Sequence, residues 1–265
     1  MRAIAKIRED IAACDKELAR LLARRMDCIG EVIAYKKSHG MPILQPEQEA
    51  RQRKLLADIL DGAPYEEEQL QVFECILKMS KKVQAKALFA RNIALIGFMG
   101  AGKSTVSHCL KDMLAMEEVE TDAMIVEAEG MAITDIFAKY GEPYFRNCES
   151  NAIIELQDRR QVIISCGGGA VMRDENVENL KKSSQIVLLT ATPETTLERV
   201  KDSDERPILN GHMNVEYIAQ LMEKRREKYE EAADIVIATD GKTVIEICEE
   251  LIRKLNGMEG GREEN

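Results

Sequence analysis

The stretch Gly97-Phe98-Met99-Gly100-Ala101-Gly102-Lys103-Ser104-Thr105 has the spacing G-x-x-x-x-G-K-S/T, which suits it to gripping a polyphosphate. Glycines let the backbone curl until several N–H groups point at one anion. The helix expected to follow turns its positive dipole end to the same point. Lys103 is placed to neutralise the outer phosphates, and the Ser104 hydroxyl to help hold Mg²⁺. The expected ligand is a nucleoside triphosphate, cradled by Gly100, Ala101, Gly102, Lys103, Ser104 and Thr105.

Such a loop fits motors, GTPases and kinases alike, and four further features narrow the choice. Val119-Glu120-Thr121-Asp122 reads as the end of a second strand near the loop, where the Asp122 carboxylate meets Mg²⁺ or a substrate hydroxyl. Gly141 to Glu149 offers Arg146 and Glu149 three apart, on one face of a helix start. Gly167, Gly168 and Gly169 follow an apolar run and let the backbone approach a ligand. Lys201 to Asn214 reads as a polar lid carrying Arg206-Pro207-Ile208-Leu209, with Arg199 before it and Arg225 and Arg226 after. In this order, after a phosphate loop, these features point to a small-molecule kinase.

A scaffold must hold these groups together. Apolar, β-branched runs at Ile93–Gly97, Val162–Cys166, Ile186–Leu189 and Ile235–Ala238 alternate with helical stretches. The pattern predicts an α/β domain with a parallel sheet covered on both faces. Before residue 90 the character is different, with three helices predicted over about 3–38, 47–60 and 66–87. His39-Gly40-Met41-Pro42 and Asp61-Gly62-Ala63-Pro64 end the first two. One helix far longer than its neighbours makes a poor monomeric core, so a dimer is expected. The domains are read as 1–89 and 90–257, with a disordered tail at 258–265 and a short junction near Ala87–Asn92.

Polar groups interrupt the apolar faces of the helical domain where packing does not require them. Arg8, Arg25 and Lys36 lie on the long helix, Glu49 opens the second, and Ser80 and Gln84 sit one turn apart on the third. Several cations beside few carboxylates suit a dianionic ligand.

Composition limits the partners. The net charge of −10 argues against nucleic acid or an anionic membrane surface as the main target. No apolar run is long enough to span a bilayer, and no signal peptide is visible. The cysteines at 14, 28, 75, 109, 148, 166 and 248 form no C-x-x-C pair. They read as dispersed thiols in a reducing cytoplasm.

From about Asn92 to Leu255 the chain resembles shikimate kinase, through G-F-M-G-A-G-K-S-T, T-D, F-R-x-x-E, G-G-G-A, R-P-I-L and the K-R before Tyr229. The resemblance implies transfer of a phosphoryl group from Mg-ATP to the 3-hydroxyl of shikimate. Asp122 would then act as base or positioner, and Arg146 and Arg225 would clamp the substrate carboxylate. Gly167, Gly168 and Gly169 would line its pocket, with Glu149 supporting the arginines. Arg206 would reach the transferring group, with Arg199 against the adenine. The family usually has Asp where Glu120 stands.

Residues 3–88 resemble the all-helical chorismate mutases, through I-R-x-x-I, L-L-A-R-R, Y-K-K, P-I-x-x-P-E-x-E and S-x-x-x-Q. This implies an intertwined homodimer that converts chorismate to prephenate. Arg8 would cross into the partner's site, and Arg8 and Arg25 would hold the two carboxylates. Lys36 and Gln84 would face the ether oxygen and Glu49 the ring hydroxyl, with Ser80 in the binding set. Gln45 and Gln48 replace the family's usual Asp and Arg. The alternative is a catalytically degenerate helical domain that dimerises the kinase or senses a metabolite.

Overall fold

A computed structural model describes residues 2–39, 46–201 and 214–260. The chain divides into two compact units, Met1–Ala87 and Leu88–Asn265.

The first unit contains α1 (Ile4–Ser38), α2 (Pro46–Leu60) and α3 (Glu66–Leu88). Pro46 opens α2 at a position where its missing N–H costs nothing. Acidic residues occupy the first turns of α2 (Glu47, Glu49) and α3 (Glu66, Glu67, Glu68), where the helix dipole favours them. Gly62 and Tyr65 take positive φ in the turn between these helices. Ile33, Leu60, Leu77 and Ala85 are buried. Ile4, Ile11, Leu18 and Leu21 on α1, Leu55 and Ile59 on α2, and Val72 on α3 are each more than half exposed. The unit therefore presents long apolar stripes to water.

The second unit runs β1 (Asn92–Ile96), α4 (Lys103–Leu114), β2 (Glu117–Glu120), α5 (Thr121–Glu129), α6 (Ile133–Glu155), β3 (Val162–Ser165), α7 (Asp174–Ser183), β4 (Ser184–Thr190), α8 (Pro193–Val200), α9 (Val215–Ala232), β5 (Ile235–Ala238) and α10 (Val244–Gly260). The strands form one parallel sheet in the order β2-β3-β1-β4-β5. β1 and β3 are buried along their whole length, as strands covered on both faces must be. Ile96, Ile164, Ile186, Leu156 and Leu180 belong to the main core cluster. Asn92, fully buried, donates to Arg159 O and accepts from Val162 N, pinning the start of β1 to the start of β3.

Register brings the functional loops together. Leu95 pairs with Ser165 and with Val187, and Ser165 pairs with Glu120. The loops after β1, β2 and β3 therefore leave the same carboxyl edge, beside the point where the connections turn to the other side of β1.

One expectation needs correction. β2 stops at Glu120, and Thr121 and Asp122 begin α5 instead of ending the strand. The buried Thr121 is committed to the glycine loop, and a carboxylate in a first helical turn is favoured by the dipole. The helix bearing Arg146 starts after Gly141 (φ 78°, ψ 171°), where an earlier helical stretch from Ile133 breaks ahead of Pro143, so Arg146 and Glu149 share one face near a helix start as the spacing predicts. Of the expected lid, Lys201 to Asn214, residues 202–213 lie outside the described residues, as do 261–265 of the expected tail at 258–265, whereas α10 continues to Gly260.

Gly97 has φ 144°, and a Cβ there would collide with the Leu189 carbonyl of β4. Gly97→Ala should therefore destabilise the α/β unit by about 2 kcal/mol or more in urea unfolding. An unchanged midpoint would show that the loop accommodates a side chain.

Candidate active sites

The phosphate loop spans the gap between Ile96 and Lys103 and turns on three glycines, with φ of 144° at Gly97, 75° at Gly100 and 94° at Gly102. Ala101 N donates to Phe98 O at 3.1 Å within the turn. At Gly100 a Cβ would sit 2.9 Å from Val200 Cγ1, so the backbone fits closely against α8. α4 starts immediately after Gly102, so the positive end of its dipole lies at the loop. Lys103 Nζ donates to the carbonyls of Gly97 and Phe98 at 2.9 and 3.1 Å. Ser104 and Thr105 are exposed in the first turn of α4. Arg199 donates from Nη1 to Gly100 O at 3.1 Å and to Thr239 Oγ1 at 3.0 Å, tying the loop to the residue after β5.

The glycine run after β3 lies against this loop, since a Cβ on Gly168 would stand 3.6 Å from Met99 N. Three side chains fix its path. Thr121 Oγ1 accepts from Gly167 N at 2.9 Å, while Tyr229 Oη and Arg225 Nη1 donate to Gly168 O at 2.5 and 3.4 Å. The Arg225 guanidinium is 5.7 Å from the centre of the Phe98 ring. A Cβ on Gly167 would meet Asp122 Oδ1 at 2.6 Å and Glu149 Oε1 at 2.7 Å, and one on Gly169 would run into the Arg146 guanidinium. Asp122, Glu149 and Arg146 therefore converge where these residues carry no side chain.

Arg146 donates from Nη1 to Glu149 Oε2 at 2.9 Å. Its Nε and Nη2 both reach Glu142 Oε1, at 3.1 and 2.8 Å. Burial works against the guanidinium charge, but Glu149 and Glu142 more than compensate and hold its pKa above the ordinary value. Glu149 is fully buried; burial raises its pKa, against the pull of Arg146 and with the help of Asp122. Burial also pushes the neighbouring Cys166 thiol up to about 12, which makes it a poor nucleophile. All seven cysteines are free thiols.

Ser104, Glu120 and Asp122 offer oxygen donors at this edge, the chemistry that Mg²⁺ prefers. Among the described residues no group of three His, Cys, Asp or Glu could enclose a metal by itself.

In the helical unit α1 and α3 bring a second set together. Arg25 Nη1 donates to Ser80 Oγ, and Lys36 Nζ to Gln84 Oε1 at 3.5 Å. Gln84 Nε2 donates to Ser80 O at 3.4 Å. Glu49 of α2 pairs with Lys81 at 2.7 Å and Arg53 at 3.8 Å. Burial lowers the pKa of Arg25 and of Lys36, the latter opposed by Glu49. Arg8, in contrast, is exposed near the start of α1. Gln48 is exposed on α2. Gln45 and Arg206 lie outside the described residues.

Thr121, Glu142 and Tyr229 also shape this edge, although sequence reasoning assigned them no separate role. Glu142 had a legible signal in its i, i+4 spacing to Arg146. Thr121 and Tyr229 act over long sequence separations, on backbone atoms, and carry no such signal.

Comparison with known proteins agrees with this geometry. The family model described as shikimate kinase matches residues 99–256, and the one described as chorismate mutase type II matches residues 7–85. The chain is 38% identical over 172 residues to a shikimate kinase of Thermodesulfovibrio yellowstonii, covering 65% of this chain and 99% of that protein. It is 42% identical over 168 residues to one from Dehalococcoides mccartyi, covering 63% and 95%. The solved structure of Acinetobacter baumannii shikimate kinase in complex with shikimate superposes with a TM-score of 0.61 at 31% identity, covering 68% of this chain and 99% of that one. The Aquifex aeolicus enzyme gives 0.56 at 36% identity, covering 63% and 98%. Among the described residues no helix is long and apolar enough to cross a membrane. The chain belongs to the shikimate kinase family, and it carries a chorismate mutase type II domain ahead of its kinase domain.

Proposed function

We propose that this chain is a bifunctional enzyme of aromatic amino-acid biosynthesis, which phosphorylates shikimate with ATP and rearranges chorismate to prephenate. The observation that carries the kinase reading is the convergence of the phosphate loop, Asp122, Arg146, Arg225 and the three glycines at one sheet edge. Backbone N–H groups, Lys103 and the start of α4 bind the triphosphate, with Arg199 on the adenine side. Ser104 holds Mg²⁺, which neutralises charge on the β- and γ-phosphates when bound. Arg146 and Arg225 bind the shikimate carboxylate, since a guanidinium fork matches a planar carboxylate. Asp122 positions the 3-hydroxyl and takes its proton as the oxygen attacks the γ-phosphorus and ADP leaves. Arg206 supports the charge on the transferring group. Positioning and charge neutralisation supply most of the catalysis.

The helical reading rests on Arg25, Lys36, Ser80 and Gln84 lying together with little opposing charge. Cations whose burial lacks full compensation favour a dianion. Arg25 holds a carboxylate of chorismate, Glu49 the ring hydroxyl, and Lys36 and Gln84 the ether oxygen as its negative charge grows. Arg8 stands about 25 Å along α1 from Arg25, too far to reach the same pocket. It completes the site from a second copy, whose long helix covers the exposed apolar stripe. The free thiols suit a cytoplasmic enzyme.

Four outcomes are expected. In an ADP-release assay Arg146→Lys should raise the KM for shikimate about tenfold or more and leave the KM for ATP within about twofold. Turnover of gluconate or a nucleoside monophosphate, with shikimate untouched, would overturn the kinase assignment. Chorismate disappearance should fall about 10²- to 10³-fold in Lys36→Gln. In the wild type, kcat/KM should drop as rising pH deprotonates Lys36, with the midpoint below the ordinary lysine value of 10.5. A Lys36→Gln variant as fast as wild type would leave the helical unit without catalysis. Mixing the inactive Arg8→Ala and Lys36→Ala proteins should restore about a quarter of wild-type mutase activity, because exchanged dimers regain one intact site. No recovery after proven subunit exchange would place both residues in one chain's site.

A further inference from the structure

The two carboxylates on Arg146 are not equivalent. Glu149 is sealed in the core, its side chain 1% exposed, and it holds Nη1. Glu142 has a side chain 57% exposed, and one of its oxygens takes both Nε and Nη2. A bidentate substrate carboxylate needs two neighbouring guanidinium N–H groups. On Arg146 one such edge, Nε with Nη2, is held by Glu142, and Nη1 of the other edge is held by Glu149. Removing Glu149 from Arg146 would strand a buried charge, whereas an exposed ion pair is weak and its carboxylate regains water on release.

The backbone supports the same division. Glu142 directly follows Gly141, whose φ of 78° and ψ of 171° break the helix, so it stands at the very start of the helical stretch that carries Arg146, where Pro143 needs no N–H. It is thus anchored less firmly than Glu149, which sits a turn beyond Arg146 in regular helix. The 2.8 and 3.1 Å bonds nevertheless show Arg146 already aimed by it.

We infer that Glu142 is a displaceable internal anion: it occupies the substrate edge of Arg146, holds the guanidinium in place, and is exchanged for the carboxylate of the phosphoryl acceptor. The inference rests on the proposed kinase reaction and adds a determinant of selectivity to it. An acceptor that presents a well-oriented, bidentate carboxylate replaces Glu142, whereas a small or poorly matched anion does not. Glu142 acts through Arg146 and is a positioning residue. Its presence weakens acceptor binding in return for excluding other anions.

The test is Glu142→Gln in the full-length protein, with shikimate as acceptor and sodium acetate as a competing anion. Loss of the exposed charge pair should lower the KM for shikimate by about two- to fivefold, with a smaller change in kcat. Acetate should inhibit the variant, competitively with shikimate, at a several-fold lower concentration than it inhibits the wild type. If Glu142 merely orients Arg146, the KM rises and acetate sensitivity falls or stays the same, and the inference is overturned. A KM unchanged within error overturns it as well. Glu142→Ala, compared with Glu142→Gln by circular dichroism melting, guards against loss of fold: a lowered KM in either folded variant supports displacement. A wild-type protein that does not phosphorylate shikimate refutes the kinase reading itself, and that result is read before any variant is made.

Discussion

Crowding at the carboxyl edge of the sheet governs the α/β unit. Asp122, Glu149 and Arg146 come from two different helices, yet they enter the volume in which residues 167 and 169 would carry Cβ atoms. The site exists because that volume is left open. The alignment of β1 with β3 sets the glycine run beside the phosphate loop, and Cys166 N donating to Leu95 O extends the ladder to the point of departure. Thr121, Tyr229 and Arg225 then hold the run by its backbone atoms alone, which leaves its open face available for a ligand.

The two units solve a common problem in different ways. On the proposed reading, each must keep cations ready for a carboxylate without letting them collapse onto the wrong partner. In the α/β unit Arg146 is bracketed by Glu149 and Glu142, so its charge is secured at all accessible pH. In the helical unit Arg25 and Lys36 are only partly compensated, and burial weakens their hold on the proton. The first arrangement suits a substrate that brings one carboxylate and many hydroxyls. The second suits a ligand with two negative charges, which supplies the missing compensation itself.

Much of this was legible in the sequence where local signals coincide with function. Gly97 to Thr105 announces itself by spacing, the buried strands by apolar runs, and the helices by periodicity. Arg25, Lys36, Ser80 and Gln84 stood out as polar groups interrupting apolar helical faces, but only the family resemblance assigned each a role, because their spacing along two helices does not say which ligand atom each meets. The place of Asp122 in a helix rather than at a strand end depends on Thr121 bonding to Gly167 N across the sheet. The commitment of Arg146 to two carboxylates, one hidden and one exposed, likewise depends on tertiary burial that no window of residues encodes.

The distribution of thiols carries a practical consequence. Cys14, Cys28 and Cys75, the three exposed cysteines, all belong to the helical unit, whereas Cys166 and Cys248 of the α/β unit are buried and Cys109 and Cys148 are partly covered. Burial also raises the pKa of Cys148, Cys166 and Cys248, which slows their alkylation further. A maleimide dye would therefore mark the helices first wherever a second copy leaves them open, and Cys14, between Ile11 and Leu18 on the apolar stripe, would report optically on whether that stripe is covered.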